Sequence, residues 1–239
     1  MLIAEITENN AGINISGDYE DLFALREAIS DLAGDKTSYD GYSEVHDVVQ
    51  KFVFELLHAY RAERDSYKTN FDTPCYKFSV LFPEAFFIAD VLNDYMELSD
   101  GEEFYINKTA GRSSLVAQKI KERKYLYKSY IKFFQTLIYD AIRKYVGDDM
   151  FTEIRGIAER GKELRYRGFC KDWVDIINVR YLNAGCGDAE LLNSVRKLAQ
   201  RDEEYYSKEK AMKEHTKDGN ISLFFGILEE IQYPDGWEW

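Results

Sequence analysis

The chain has 239 residues, of which 45% are hydrophobic and 15% aromatic, while Pro occurs 3 times. This composition excludes a disordered chain and predicts one large domain or two small ones, built mainly from helices around an apolar core. The formal net charge of -12 argues against a surface that grips nucleic acid or an anionic bilayer along its whole length, although it is compatible with a local basic patch.

The pattern at the start of the chain and the cysteines favour a cytoplasmic protein. Residues 1–9 have neither the cationic start nor the apolar stretch of a secretion signal. Cys75, Cys170 and Cys186 are odd in number and have no paired spacing, which is typical of free thiols in a reducing compartment. The two longest apolar stretches, 78–98 and 112–146, both contain charged residues, so we expect no membrane span.

The first hundred residues predict a small antiparallel sheet and three helices. Two strand-like runs separated by Asn9, Asn10 and Gly12 indicate a β-hairpin, and we expect Asp18 to cap the helix that follows. The predicted elements, in order, are strands at 2–7 and 13–16, helices at 18–34 and 43–64, a strand at 76–81 and a helix at 84–98 that stops at 99–101.

The second half is organised around one long helix. Residues 112–146 contain neither Gly nor Pro, and their apolar residues recur at helical spacing, which predicts an amphipathic helix of roughly 50 Å. Leu126, Tyr127 and Tyr130 fall on its apolar half, and Lys121, Lys128 and Lys132 on its solvated side. Further helices are predicted from Asp148 or Asp149, around Trp173, from Asp188 and over 200–217, whereas 221–231 fits a helix or a fourth strand.

These elements predict an α+β fold that is predominantly helical. A small antiparallel sheet, formed by the N-terminal hairpin and one further strand, would pack on helices around the long central helix. Residues 102–111 are the best candidate for a hinge, because they separate a part with strands from a part without a convincing strand before residue 220. This division gives an α+β part at 1–107 and an all-helical part at 108–239, and one continuous compact domain is the alternative.

The densest polar cluster lies in the predicted helix 43–64. One side of that helix carries Lys51, His58, Arg61 and Asp65. Phe54 lies on the same side, which suggests that another element covers this face. The cluster could bind an anion, but a structural network of ion pairs is the favoured interpretation. Glu55 and His58 have the Glu-x-x-His spacing of di-iron sites, yet three His in the chain cannot supply the rest of such a site, so we predict neither metal nor cofactor.

Two weaker candidates lie later in the chain. Cys186 precedes a predicted helix, whose dipole could lower the pKa of the thiol, but an unremarkable residue in a turn is the favoured interpretation. The basic stripe from Lys119 to Lys132 contains Tyr125 and is suggestive of single-strand nucleic-acid binding. Because we expect only Tyr125 of its tyrosines to be available for stacking, a solvated helix face is favoured there.

Three segments resemble members of an uncharacterised bacterial family, a domain of unknown function. The segments are NISGDYEDLFALREAI at 14–29, HAYRAERD at 58–65 and SVLFPEAFFIADVLNDY at 79–95. The resemblance covers about the first hundred residues and implies a bacterial, intracellular protein. Because such a family has no assigned activity, the resemblance implies no catalytic residues.

No catalytic motif stands out, and we therefore favour a function without catalysis. We predict an intracellular module that binds a protein or ligand and self-associates, because the aromatic helix faces exceed what a small sheet can cover. The alternative is an enzyme that acts on a small anionic or polar substrate around His58, Arg61 and Asp65. Nucleic-acid binding through the stripe at 119–132 is the third hypothesis.

Overall fold

Four short strands form one antiparallel sheet in the computed structural model, which describes residues 1–70, 72–110, 115–160, 169–218, 230–235, 237 and 239. The strands are β1 (Ile3–Ile6), β2 (Gly12–Gly17), β3 (Asp65–Lys68) and β4 (Pro74–Leu81), in the spatial order β1-β2-β4-β3. Ile13 pairs with Val80 and Ile15 with Phe78, and all four side chains are buried. This face of the sheet therefore contributes to the core, and the predicted hairpin and strand 76–81 are confirmed.

The strand β3 was not predicted, because residues 58–65 were assigned to the end of a helix. The structure ends that helix at Tyr60. Ala62 then adopts a positive φ of 60° in the turn that leads from α2 into β3. The four residues of β3 are all exposed. A fully exposed edge strand has no alternation of buried and exposed residues, so its sequence lacks the usual signal of a strand.

Eight helices are present among the described residues. They are α1 (Tyr19–Ala33), α2 (Ser43–Tyr60), α3 (Phe82–Ala110), α4 (Leu115–Val146), α5 (Asp148–Arg160), α6 (Lys171–Asn183), α7 (Asp188–Ala199) and α8 (Glu203–Asp218). The start of α1 confirms its predicted cap, since the Asp18 carboxylate accepts from the backbone N–H of Asp21 at 2.9 Å. Gly34 ends α1 with a φ of 62°, a conformation that favours glycine.

The most deeply enclosed helix is α3, which contacts the sheet and five other helices. The predicted end of this helix at residues 99–101 was wrong, because the helix continues through them and reaches Ala110. Contacts from α4 accompany this extension: Lys128 donates to the carbonyl oxygen of Met96 at 2.9 Å, and Lys124 to that of Ser99 at 3.5 Å. Residues 102–110 of the proposed hinge are thus helical, whereas the division at 107/108 stays a prediction.

The long helix α4 is confirmed from residue 115 to residue 146, and 112–114 lie outside the described residues. Its core contacts lie mainly in its second half, where Ile131, Phe134 and Ile138 are buried. Two expectations for its first half were wrong. Leu126 is 66% exposed instead of buried, and Lys128 is not a solvated side chain, because it bonds to α3. Helical spacing alone could not show that the neighbouring elements leave Leu126 uncovered.

The helices after α4 follow the predicted order, with two corrections. Gly187 rather than Asp188 is the capping residue of α7, and Tyr205 on α8 is buried although that helix was predicted to be solvated. The Tyr205 ring contacts Phe169 and Trp173. Residues 221–229 lie outside the described residues, so the choice between helix and strand stays open there. We find no helix in the described ranges whose length and hydrophobicity would let it cross a membrane.

Candidate functional site

A recess opens between α2 and α6, and polar residues at helical spacing line it from both sides. On α2, Asp47, Lys51 and Glu55 are four residues apart and share one face, whereas Lys171 and Asp175 do the same on α6. The recess has a volume of about 460 Å³. Its lining is Asp47, Val48, Gln50, Lys51, Phe54, Glu55, Glu84, Lys171, Val174 and Asp175.

A polar cluster begins in the wall of this recess with Lys51, Glu84 and Asp175, and it continues to Asn178 and Tyr233, which lie outside the lining. Glu84, in the first turn of α3, is 9% exposed, and Asn178 on α6 is completely buried. The Asn178 side-chain amide donates to Glu84 Oε2 at 3.1 Å, and the Tyr233 hydroxyl donates to Asp175 Oδ1 at 3.0 Å. Lys51 Nζ lies 3.7 Å from Glu84 Oε1 and 3.4 Å from Asp175 Oδ1. The cluster therefore joins α2, α3, α6 and the segment 230–235.

The charges of the cluster are coupled. Burial raises the pKa of the Glu84 carboxyl, and the positive charge of Lys51 opposes this shift without cancelling it. Burial also works against the charged form of Lys51, but Glu84 and Asp175 outweigh it and raise the pKa of that ammonium group. Lys51 therefore stays protonated at neutral pH, so it can form ion pairs but cannot act as an amine nucleophile.

One polar atom of the cluster is unsatisfied. The Asn178 side-chain oxygen is buried and has no hydrogen-bond partner among the described residues. Leaving a buried acceptor without a partner costs about 1–3 kcal/mol. Together with the burial of Glu84, this cost makes the cluster an unfavourable way to hold four elements together.

A second, smaller cavity adjoins the recess and shares Lys51, Glu55 and Glu84 with it. Its volume is about 220 Å³, and its remaining wall is largely aromatic and apolar. The residues that line it are Lys51, Phe52, Glu55, Ser79, Val80, Leu81, Glu84, Tyr233, Trp237 and Trp239. We refer to the larger cavity as the recess and to this smaller one as the aromatic cavity.

The predicted polar cluster around His58 is divided among separate partners. His58 Nδ1 pairs with Glu63, the Arg64 guanidinium pairs with Glu55, and Asp65 is 81% exposed on β3. Arg61, after the last residue of α2, is also exposed. The expectation that another element covers this face was wrong, because the Phe54 side chain is 55% exposed. Of the predicted residues His58, Arg61, Asp65 and Glu55, the structure places Glu55 at both cavities.

Cys186 does not have the expected environment of a reactive thiol. The residue is half-buried in the turn between α6 and α7, with a φ of 57°. Burial raises the pKa of its thiol, which favours the interpretation as an unremarkable residue in a turn over that as a reactive thiol. The hydroxyl of Tyr181 donates to the Cys186 carbonyl oxygen at 3.1 Å, which indicates a structural turn.

The basic stripe on α4 is partly occupied by contacts within the chain. Lys128 pairs with Asp100, Lys132 donates to the Asn93 side chain at 2.8 Å, and Arg123 pairs with Asp31 at 2.7 Å. These contacts reduce the positive charge available to phosphates. A search of the described residues for three or more His, Cys, Asp or Glu side chains that could hold a metal ion finds none.

The residues that sequence reasoning missed are Glu84, Asp175, Asn178 and Tyr233. Asp175 and Asn178 are three residues apart on α6, but no local spacing connects this pair to Glu84 or to Tyr233. The available signal was the Asp47–Lys51–Glu55 face of α2, which places charges of both signs four residues apart. Sequence reasoning noted Lys51, but grouped it with His58 instead of with Asp47 and Glu55.

Comparison with known proteins identifies the family. The model of the domain of unknown function DUF6904 matches residues 2–239. The chain belongs to this family. The resemblance to a domain of unknown function is thus confirmed, and it extends over nearly the whole chain instead of the first hundred residues. Neither the curated proteins nor the solved structures contain a significant match.

Proposed function

We propose that this protein is a binding module whose ligand is a small polar molecule held in the recess beside Lys51 and Glu84. The observation that carries the proposal is a buried carboxyl group, that of Glu84, in the wall of an open cavity beside Lys51. Cavities of roughly 300–1,000 Å³ with a few convergent polar groups are typical of small-molecule sites. The recess, at about 460 Å³, lies within this range.

The energetics of the cluster support a ligand. Taking a carboxylate out of water costs several kcal/mol, and apolar residues of similar volume often hold helices together as well or better. A cluster that contains Glu84, Lys51 and an unsatisfied Asn178 oxygen is therefore a poor purely structural choice. A polar ligand that contacts Lys51 and Glu84 from the recess would offset part of this cost.

Catalysis on a small polar substrate is the second proposal, and the raised pKa of Glu84 favours it. A carboxyl group whose pKa is raised holds its proton to a higher pH than usual, a property of general acids. This proposal moves the enzyme hypothesis from His58, Arg61 and Asp65 to the recess. Binding remains the first proposal, because nothing beyond Glu84 points to a particular reaction.

A thermal unfolding screen tests the binding proposal. The unfolding temperature is measured in the presence of each member of a panel of amino acids, amines, organic acids and sugars. Three proteins are compared: the wild type, a Lys51→Met variant and a Lys121→Met control on the exposed face of α4. We expect at least one compound to raise the unfolding temperature of the wild type and the control, but not that of Lys51→Met. If no compound does so, or if Lys51→Met responds like the wild type, the recess is not the site.

We also propose that two copies associate through α4. Lys119, Leu126, Phe133 and Asp140 are spaced seven residues apart and share one face of this helix. Leu126 is 66% exposed and Phe133 is 41% exposed. If two α4 helices pair in antiparallel fashion about the midpoint between Ser129 and Tyr130, Leu126 meets Phe133 of the second copy and Lys119 meets its Asp140. The stripe therefore pairs apolar with apolar residues and opposite charges, as a two-fold interface requires, although Asp140 also pairs with Arg143 and Lys144 of its own chain.

Sedimentation equilibrium tests the association. We expect the wild type to form dimers at high concentration, and a Leu126→Lys variant to remain monomeric because it places a charge at the centre of the stripe. A Tyr206→Lys variant, changed at an exposed residue of α8, serves as the control and should behave like the wild type. A monomeric wild type, or a dimer that Leu126→Lys leaves intact, would contradict the proposal.

A cytoplasmic location is the last part of the proposal. Cys75, Cys170 and Cys186 are all free thiols, and Cys75 and Cys170 are buried. Free buried cysteines without disulfides are typical of proteins in reducing compartments. Fractionation of the native host's cells, with the protein recovered in the soluble cytoplasmic fraction, would support this location, whereas recovery in a secreted fraction would contradict it.

A further inference from the structure

Three aromatic rings stand together on one side of the aromatic cavity. The Trp237 and Trp239 rings have centroids 4.5 Å apart and an interplanar angle of 70°. The Tyr233 ring lies 6.4 Å from that of Trp237 at 32°. The backbone N–H of Asn9 donates to the Trp239 carbonyl oxygen at 3.4 Å, which holds this segment against the hairpin.

Carboxylates stand at the same cavity. Glu55 and Glu84 both line it, and Lys51 lies between Glu84 and the nearby Asp175. Glu55 is paired with Arg64, whose Nε lies 2.8 Å from its Oε2. In their ionised forms these three acidic and two basic side chains carry one more negative than positive charge. This balance disfavours an anionic ligand, because an anion would add to the excess of negative charge.

Aromatic rings and carboxylates that line the same cavity are suited to binding a cation. The faces of Trp and Tyr rings carry partial negative charge and attract cations, most strongly when the cation has been desolvated. An alkylated ammonium group is weakly hydrated and apolar on its outside, so it loses little on leaving water. The carboxylates of Glu55 and Glu84, in the lining of the same cavity, complement its charge.

We infer that the aromatic cavity binds an organic ammonium group, with Trp237, Trp239 and Tyr233 against its alkyl surface and with Glu55 and Glu84 balancing its charge. This inference rests on the proposed function and names the class of its ligand. The recess, which adjoins this cavity at Lys51, Glu55 and Glu84, accommodates the polar remainder of the molecule. The ligand class is therefore a small amine or quaternary ammonium compound that carries a polar tail.

Isothermal titration calorimetry with two probes of equal shape tests the inference. The probes are choline and its neutral carbon isostere, in which a tert-butyl group replaces the trimethylammonium group. We expect the wild type to bind choline about tenfold or more tightly than the isostere, because the faces of the rings attract a desolvated cation and not a neutral group. Burial of apolar surface alone would give both probes the same affinity.

Substitutions of the two tryptophans test whether choline binds at the aromatic cavity. We expect Trp237→Leu and Trp239→Leu each to weaken choline binding about tenfold. Tyr206→Leu, which changes an exposed ring on α8, should leave it unchanged. Far-ultraviolet circular dichroism checks that each variant is folded, and the second tryptophan variant keeps the test valid if the first does not fold.

The outcomes separate this inference from the proposed function. Equal affinity for the two probes, or choline binding that both tryptophan variants retain, overturns the inference. If choline does not bind but another compound of the screen stabilises the wild type and not Lys51→Met, the inference fails and the proposed function stands. If neither choline nor any screened compound binds, both fail.

Discussion

Replacing Glu84 with Gln removes one charge from the buried cluster and changes little of its shape. The Gln side-chain oxygen can still accept from the Asn178 amide, which lies 3.1 Å from Glu84 Oε2 in the wild type. What the variant loses is the attraction between Glu84 and Lys51, whose atoms are 3.7 Å apart. The variant also avoids the free-energy cost of burying an ionised carboxylate. The balance between these two effects is the quantity that the substitution measures.

The structure gives the size and sign of this balance. At an effective dielectric constant of about 20, two charges at this separation attract by about 4 kcal/mol. Because half of the Lys51 side chain is exposed to solvent, the real attraction is smaller. Burying the carboxylate costs several kcal/mol. We therefore expect Glu84→Gln to be more stable than the wild type by about 1–2 kcal/mol where Glu84 is ionised.

The size of this stability difference depends on pH. Burial raises the pKa of folded Glu84 above its ordinary value of 4.5, so its favourable contribution is complete below that value and is lost as the pH rises through the folded pKa. The variant has no carboxyl at this position, so its free energy of unfolding does not fall in this way as the pH rises. The advantage of Glu84→Gln over the wild type should therefore be near zero in acid and grow as the pH rises.

Urea denaturation between about pH 4 and about pH 8 measures this difference as a free energy of unfolding at each pH. Glu97→Gln, an exposed substitution on the same helix, is the matched control and should follow the wild type throughout. A Glu84→Gln variant that becomes less stable relative to the wild type as the pH rises would refute the reasoning. That result would mean that Lys51 more than compensates for the burial of the carboxylate.

Three further predictions concern other parts of the fold. Lys128→Met should lower the free energy of unfolding by about 1–2 kcal/mol, because the half-buried ammonium group donates to Met96. Lys121→Met, at an exposed residue of the same helix, should have a smaller effect, and equal effects would contradict the role of Lys128. Asp18→Ala should cost about 1 kcal/mol through loss of the cap of α1, measured by urea denaturation, and an unchanged midpoint would argue against the cap. Cys186 should react with iodoacetamide more slowly than an unfolded peptide thiol at the same pH, because burial raises its pKa, and an equal or faster rate would contradict this environment.

The parts of the fold that sequence predicted are those that local chemistry specifies. Asp18 and Gly34 delimit α1 because a capping carboxylate and a positive φ are properties of single residues. The pairing of β1 with β2 follows from a short turn between two strand-like runs. The absence of Gly and Pro similarly predicted α4, since no residue within it interrupts the backbone hydrogen bonds.

The parts that sequence missed depend on tertiary contacts. The extension of α3 past Gly101 accompanies contacts from Lys124 and Lys128 on another helix, which no pattern within α3 records. The exposure of Leu126 depends on which surfaces the neighbouring helices leave open. The cluster around Glu84 brings α2, α3, α6 and Tyr233 together, and only the folded chain shows which of many charged residues meet.

The most direct test of a ligand site beside Lys51 uses the tryptophan indole signals in a nuclear magnetic resonance titration. Trp237 and Trp239 line the aromatic cavity, whereas Trp173 is buried elsewhere and donates from its indole to the Lys197 carbonyl oxygen at 3.0 Å. With choline and the small polar compounds of the screen as titrants, we predict saturable shifts of the Trp237 and Trp239 signals and an unchanged Trp173 signal. Titrations in which no compound shifts the first two signals, or in which all three shift alike without saturation, would contradict the account.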